Sequence, residues 1–436
     1  MNNTTWALLC AFAILTGCQT APNLRVGIIS DTQSYPGSSD PGQKNLREAL
    51  NQLKEKDVDV ILYAGDVSDN GNAQVYREYQ EIVADVFPDN ATKPEFVVIM
   101  GNHDYWNDMA PVDAQKNFTD NIGQDSINVH KVVKGYDFIG ISPEEGAVHG
   151  VYTPEKSQKF FHDAMDKAIR RAPDKPVFVV THQHAKDTVY GSDGWGNPDL
   201  TEMFKPYPQL VHFSGHSHFV LSDERSIFQK DFTSVGTSSL SYCELAPGRV
   251  NGPVPPHAED ALEYLVMDVF DDHLDFHRYE LRFNEEIKAD ALWSMKLPAD
   301  KETFTYTSDR ADKRSKPFFA EGAKVESAFD AVPFSNLLLT FDAAEHDDFV
   351  ESYAITFDKL DSDGNVIDSR ELLFFSDFYR SYPRMSKKPT ISVPAEQLEG
   401  NTSYHVSIVP VESFGKRGDK ALTLTVSTPE KVVVAE

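Results

Sequence analysis

Five apolar runs, at residues 26–30, 60–64, 96–100, 177–180 and 210–214, each end directly in a short polar motif rich in metal-binding side chains. The runs have the length and branched-aliphatic content of buried strands. The motifs are Asp31-Thr32-Gln33, Gly65-Asp66-Val67-Ser68-Asp69, Gly101-Asn102-His103-Asp104, Thr181-His182-Gln183-His184 and Gly215-His216-Ser217-His218. An α/β sheet presents the carboxyl ends of its strands to a shared crevice, so motifs far apart in sequence converge there.

Polar stretches with helical spacing lie between the runs. Leu46, Ala49, Leu50 and Leu53 predict a helix over 43–56, and Phe160, Phe161, Ala164, Ala168 and Ile169 predict one over 154–171. Residues 127–133 and 136–141, separated by Lys134-Gly135, form an expected hairpin, and further strands are expected at 232–235, 264–270 and 273–281. The increasingly antiparallel character after His218 argues for an α/β fold built as a mixed β-sandwich flanked by helices, rather than a doubly wound sheet. The expected division is a leader over 1–18, a catalytic domain over 24–298, a polar linker over 299–316 and a second module over 317–436. In that module, residues 337–341, 352–359, 390–393, 404–409 and 422–426 alternate or cluster like strands of a small all-β sandwich, which resembles a fibronectin type III or immunoglobulin-like module.

A length of 436 residues suits one large domain plus a smaller one, and 40% hydrophobic with 11% aromatic residues excludes a mainly disordered chain. The formal charge of −27 disfavours extended nucleic acid as a partner, whereas a local metal site overcomes that repulsion for a small phosphate. Oligomeric state is not legible in the sequence. Cys10 and Cys18 lie in the leader and Cys243 stands alone in the body, so no disulfide is expected there.

The leader ends in Leu15-Thr16-Gly17-Cys18, which resembles the lipobox of bacterial lipoproteins. The resemblance implies lipid on Cys18, the membrane as a partner and a place in the bacterial cell envelope. Residues 1–6 contain no Lys or Arg, a departure from the usual basic start that keeps a cleaved secretory leader or an uncleaved apolar N-terminus as the alternative.

The motif residues supply a mixed nitrogen and oxygen donor set. Asp31 and Asp66 offer carboxylates, Asn102 an amide oxygen, and His182, His216 and His218 imidazoles. Such a set suits zinc, manganese or iron better than calcium. A carboxylate shared between two cations holds them roughly 3.5–4 Å apart, and a water between them is acidified to hydroxide for in-line attack on phosphorus. Asp66 is the candidate bridge.

Together the motifs resemble those of the calcineurin-like metallophosphoesterases, over roughly residues 24–282. The resemblance implies Asp31, Gln33, Asp66 and His218 around one divalent metal, and Asp66, Asn102, His182 and His216 around the other. It also implies that His103 assists the transition state or the leaving group, with Asp104 orienting its imidazole. Gln33 departs from the family's usual histidine, which weakens one ligand position. Asp69 is expected to support a loop or a ligand, and His184 to lie behind the metal ligands or face substrate. Tyr105, Trp106, Tyr190 and Trp195 are candidates to stack on a base, sugar or aryl group.

The sequence therefore predicts a metal-dependent hydrolase of small phosphate esters, with mono- and diesterase activity unresolved. A nucleotide or cyclic-nucleotide phosphodiesterase or nucleotidase is one alternative. A surface binding protein on a hydrolase scaffold is another.

Overall fold

The computed structural model describes residues 21–380 and 385–432, so Cys18 and the leader fall outside the described residues. Two mixed sheets face each other. The first runs through β1 (Leu24–Ile29), β2 (Val60–Tyr63) and β3 (Glu95–Val98), which are mutually parallel. The second has a parallel centre of β5 (Tyr136–Ile141), β6 (Val177–Thr181) and β9 (Leu210–Ser214), with β4 (Val129–Val133) antiparallel at one edge. The short pair β7 (His184–Ala185) and β8 (Gly196–Asn197) lies between β6 and β9 in the chain. β10 (Ile227–Gln229) and β11 (Thr233–Gly236) complete the second sheet. β12 (Glu263–Val269) returns antiparallel to β1, and β13 (His273–Glu280), β14 (Glu285–Ile287) and β15 (Trp293–Lys296) extend the first sheet outward.

Val26, Ile28, Val60 and Leu62 of the first sheet pack against Phe138, Phe178, Val180 and Phe213 of the second, which makes the inter-sheet core. α1 (Pro41–Glu55), α2 (Ala73–Val86) and α3 (Pro111–Ile122) cover the outer face of the first sheet, and α4 (Lys159–Arg171) covers the second. α1 starts where Asp40 accepts the Gln43 N–H with Pro41 behind it, and it buries the expected Leu46, Ala49, Leu50 and Leu53. α2 and α3 fall in the expected polar stretches between strand runs but were given no range, although Val75, Tyr76, Tyr79, Ile82 and Val83 repeat at helical spacing. In the hairpin, Lys134 and Gly135 both take positive φ (51° and 79°), the two-residue turn that matches strand twist.

The C-terminal part is all antiparallel β. One sheet orders β16 (Val325–Phe329), β17 (Asn336–Phe341) and β20 (Thr390–Pro394). The other orders β19 (Val366–Phe375), β18 (Val350–Leu360), β21 (Ser403–Glu412) and β22 (Leu422–Ser427). Leu337, Leu339, Ile355, Phe357, Val393 and Val406 share one core between them. Residues 299–316, expected as a linker, lie along the first domain: Gln229 donates to the Tyr306 carbonyl (2.9 Å), and the Tyr306 hydroxyl accepts the Ser294 N–H (2.7 Å).

β12 carries a buried carboxyl with a consequence for stability. Burial pushes Glu263 up to about 7, against the hydrogen bond it accepts from Leu221 N–H (2.5 Å). A carboxyl whose folded pKa is raised stabilises fully below its unfolded pKa, and that contribution is lost as pH rises through the folded value. Glu263→Gln is therefore expected to leave urea stability near pH 4 almost unchanged. Near pH 8 it should raise stability by an amount on the order of 3 kcal/mol.

Candidate metal centre

All seven expected ligands stand at the carboxyl ends of parallel strands, after β1, β2, β3, β6 and β9. Five of them leave the strand through left-handed backbone: Asp31 (φ 54°), Gln33 (43°), Asp66 (53°), His216 (69°) and His218 (56°). This conformation costs a non-glycine residue about 1 kcal/mol. Here it turns each side chain sharply out of the sheet into the crevice. Two glycines permit the approach, since a Cβ on Gly101 would stand 2.0 Å from Asp66 Oδ1 and one on Gly215 2.2 Å from Asp31 Oδ2.

The donor atoms form two groups that share one oxygen. In the first, His182 Nε2 lies 3.0 Å from Asn102 Oδ1, 3.3 Å from Asp66 Oδ2 and 3.1 Å from His216 Nδ1. In the second, His218 Nε2 lies 3.2 Å from Asp31 Oδ1 and 3.4 Å from the Gln33 amide nitrogen, which is itself 3.5 Å from Asp66 Oδ2. Asp31, Asp66 and His182 alone bring three ligand atoms within 4.8 Å of one another.

Tautomers decide what these contacts mean. His182 Nδ1–H donates to the Ala64 carbonyl (2.8 Å), and His218 Nδ1–H donates to the Tyr242 carbonyl (3.1 Å). In the neutral rings both Nε2 lone pairs then face oxygen lone pairs, so each contact is satisfied only by a cation at Nε2, a proton or a metal ion. The cavity is correspondingly anionic. Burial alone would lower His182, but the Asp66 charge and hydrogen bond prevail and push it up to about 9. Burial alone would raise Asp66, but His182 holds it below the usual carboxylate range. The donors present thus fit two divalent cations sharing Asp66.

His103 flanks this centre and is partly exposed. Its backbone N–H donates to Asp66 Oδ1 (3.0 Å), its Nδ1 meets Asp69 Oδ1 (3.0 Å), and the Trp106 ring lies over it with centroids 3.8 Å apart. Burial pulls the imidazole down, but Asp69 and then Asp66 hold its pKa above the ordinary value. The expectation that Asp104 orients His103 is corrected. Asp104 is fully buried and accepts from Gly101 N–H (2.9 Å), Ser68 N–H (3.1 Å) and Tyr76 O–H (2.9 Å), so it ties two motif loops to α2. Burial, with the Asp66 charge next, pushes Asp104 up to about 7. Asp69 is the carboxylate on the imidazole, and the Tyr35 hydroxyl hydrogen-bonds its other oxygen.

The remaining candidates separate by burial. His184 bridges Ser214 Oγ and Ser217 Oγ (both 2.7 Å), and burial lowers it to about 3, so this neutral ring braces the loop between His216 and His218. Trp106 is half-exposed, and the half-buried Trp195 stands edge-on to His216 at 5.5 Å. Two aromatic expectations are corrected. Tyr105 is buried with its hydroxyl on the Pro143 carbonyl (2.7 Å). Tyr190 is buried between Phe219 (4.3 Å) and the Arg225 guanidinium (3.8 Å), with its hydroxyl accepting the Ala246 N–H. Neither faces the crevice as a platform.

Sequence reasoning missed Tyr242, whose carbonyl fixes the His218 tautomer while its ring packs 4.5 Å from that imidazole. It also missed the Ala64 carbonyl, which does the same for His182. A backbone acceptor leaves no side-chain signal to read.

Facing mixed sheets with helices outside and carboxylate, amide and imidazole donors at the strand ends define a metallophosphoesterase-type protein. Residues 24–220, which contain all five motifs, match the family described as calcineurin-like phosphoesterase. The chain is similar to a dimetal phosphatase from Danio rerio at 10% identity and a TM-score of 0.43, over 61% of this chain and 99% of that one. It is similar to the purple acid phosphatase PPD1 of yellow lupin seeds at 12% identity and a TM-score of 0.44, over 63% and 55% of the two chains. It also resembles the fn3 domain of human collagen alpha-1(XX) at 17% identity and a TM-score of 0.18, over 28% and 91%. No curated protein matches the sequence.

Proposed function

We propose that the protein is a dinuclear metal-dependent hydrolase of small phosphate esters. The observation that carries this reading is the pair of donor groups meeting at Asp66, with imidazole Nε2 atoms turned toward carboxylate and amide oxygens. Divalent cations bound there supply positive charge for phosphate oxygens and lower the pKa of water.

The chain's own groups complete the chemistry. Asp66, Asn102 and the three imidazoles are held by backbone turns and hydrogen bonds, so little reorganises when charge develops on phosphorus. His103 lies at the edge of the crevice with Asp69 fixing its Nδ1, which leaves Nε2 to give a proton to the departing oxygen. Trp106 holds the ring from its face. Because half of Trp106 remains exposed beside His103, a flat leaving group, either an aryl group or a nucleobase, is the favoured substrate subclass within the wider phosphoester reading. Lipid on Cys18 and a cell-envelope location complete the proposal.

The test is elemental analysis coupled to turnover after reconstitution with zinc, manganese or iron separately. Nucleotides, sugar phosphates, phospholipid head groups and aryl phosphates are assayed in parallel. Two metals per chain and metal-dependent turnover are expected, with aryl or nucleotide substrates preferred. No nucleotide turnover in a loaded sample removes the nucleotide branch, and loaded protein inert on every ester returns the protein to the surface-binding reading. Gln33→His belongs in the same panel. The Gln33 amide turns its nitrogen to the crevice and its oxygen to Ser241 Oγ (3.4 Å), so ligation requires the amide to flip. Histidine is expected to tighten retention of the metal beside Asp31 roughly tenfold. Unchanged metal content and activity would take Gln33 out of the ligand set.

A further inference from the structure

The candidate ligand His218 depends on a segment with almost no regular structure of its own. The loop at 242–244 holds it from two sides: the Tyr242 carbonyl accepts the imidazole Nδ1–H (3.1 Å), and Glu244 N–H donates to the His218 carbonyl (3.0 Å). Between β11 and β12 the only regular element is the short turn Ala258–Asp260. The internal hydrogen bonds that join its distant parts run from Cys243 N–H to the Ala258 carbonyl (3.0 Å) and from Leu245 N–H to the Pro253 carbonyl (2.8 Å); the others, such as Tyr242 N–H to Ser239 Oγ (3.4 Å), are local. The first domain anchors the start of the loop, through Ser239 Oγ on the Asp31 carbonyl (3.1 Å) and Leu240 N–H on the Ser30 carbonyl (3.1 Å), and the stretch beyond Tyr242 needs packing from elsewhere to hold a metal ligand closely.

Packing on the far side of the loop comes from the C-terminal sandwich. Phe375, Phe378 and Tyr379, at and after the end of β19, enter one apolar cluster with Phe219, Cys243 and Leu245 of the first domain. Val250 N–H donates to the Leu373 carbonyl (2.9 Å), and the Tyr379 hydroxyl donates to the Pro256 carbonyl (2.6 Å). Beside the cluster, buried Glu351 accepts from Arg249 (2.8 Å) and Arg225 (3.1 Å). Arg225 lies 3.8 Å over Tyr190, Tyr190 lies 4.3 Å from Phe219, and Phe219 is bonded in the chain to His218. A spacer domain would meet its neighbour through a small polar surface. This contact instead excludes water from apolar groups on both sides and buries a carboxylate shared by two arginines.

We propose that the C-terminal sandwich is a built-in part of the metal centre, with Phe378, Tyr379 and Glu351 as positioning residues that hold the 242–244 loop and His218 in ligand geometry. The proposal rests on the dinuclear reading. It assigns the sandwich chiefly to one metal of the pair, the one beside Asp31, because the 242–244 loop hydrogen-bonds His218 directly, whereas His216 meets the cluster only through the edge of Trp195 (5.5 Å).

The experiment follows release of each metal from the full-length loaded protein to a chelator, in the parent, Phe378→Ala, Phe378→Leu and Val406→Ala. Val406 is fully buried in the sandwich core away from the shared cluster, so its truncation destabilises the module without touching the brace. The expected result is release of one metal about tenfold faster in Phe378→Ala, the second metal unchanged, recovery in Phe378→Leu, and parental release in Val406→Ala despite its lower unfolding temperature. If Phe378→Ala does not fold, Tyr379→Phe removes only the hydroxyl on Pro256 and is expected to speed the same phase about threefold. Parental release of both metals from the folded variants overturns the proposal, as does equal acceleration in Val406→Ala. A parent that binds no metal overturns the dinuclear reading itself, which shows before any variant is compared.

Discussion

Asp66→Asn is expected to remove both metals and at least about a thousandfold of turnover, roughly 4 kcal/mol of transition-state stabilisation. Asp66 Oδ2 is the oxygen common to both donor groups, 3.3 Å from His182 Nε2 and 3.5 Å from the Gln33 amide. Its other oxygen already accepts the His103 backbone N–H at 3.0 Å, so it is not free to compensate. Asparagine keeps the shape but removes the charge and puts an NH2 where one of the two oxygens stood. Two cations held there would lose the anion that screens their mutual repulsion. His216→Ala should differ in kind, because His216 Nδ1 belongs to the His182 group alone, and it should empty that position first while the metal beside Asp31 is retained more tightly. Elemental analysis per chain, paired with turnover of an aryl phosphate, separates the cases. Full activity in both variants would sink the dinuclear mechanism.

The candidate ligands were legible because parallel strands write two signals side by side. A run such as that of β6 is buried on both faces and reads as uniformly apolar, and the first polar residues after it fall where the crevice is. The C-terminal strands were legible through their alternation, as in β21, where buried and partly exposed residues follow one another. What was not legible depends on direction rather than on residue type. Asp69 and Asp104 both stand near His103, and no pattern says which carboxylate meets the imidazole. The short turn His103–Tyr105 sends Asp104 inward to Gly101 and Ser68 and leaves the His103 ring on the Asp69 side. Tyr105 and Tyr190 looked like exposed loop aromatics because loop burial has no periodicity. The docking of Phe375, Phe378 and Tyr379 on the first domain was hidden for the same reason.

The division of labour between the two carboxylates gives the second large effect. His103→Ala is expected to lower turnover by about 10²–10⁴ while both metals stay bound, since His103 side-chain nitrogens contact Asp69, Gln33 and Asp66 and stand outside the imidazole and amide donors of either group. Asp69→Asn should reproduce part of that loss, about 10–100-fold, because the amide still touches Nδ1 but no longer fixes the ring as a charged acceptor. Asp104→Asn should behave otherwise. Burial already pushes that carboxyl up to about 7, and its three donors are two backbone N–H groups and the Tyr76 hydroxyl. An asparagine turns an NH2 toward at least one of those donors, so the expected cost is about 1–3 kcal/mol of stability with turnover within about threefold of the parent. Leaving-group dependence supplies the decisive measurement. A leaving oxygen of low pKa departs without a proton, so the His103→Ala and Asp69→Asn deficits should shrink as aryl phosphates with better leaving groups are used, and any Asp104→Asn deficit should not. The reverse pattern, with Asp104→Asn sensitive to the leaving group and Asp69→Asn indifferent, would return the orienting role to Asp104.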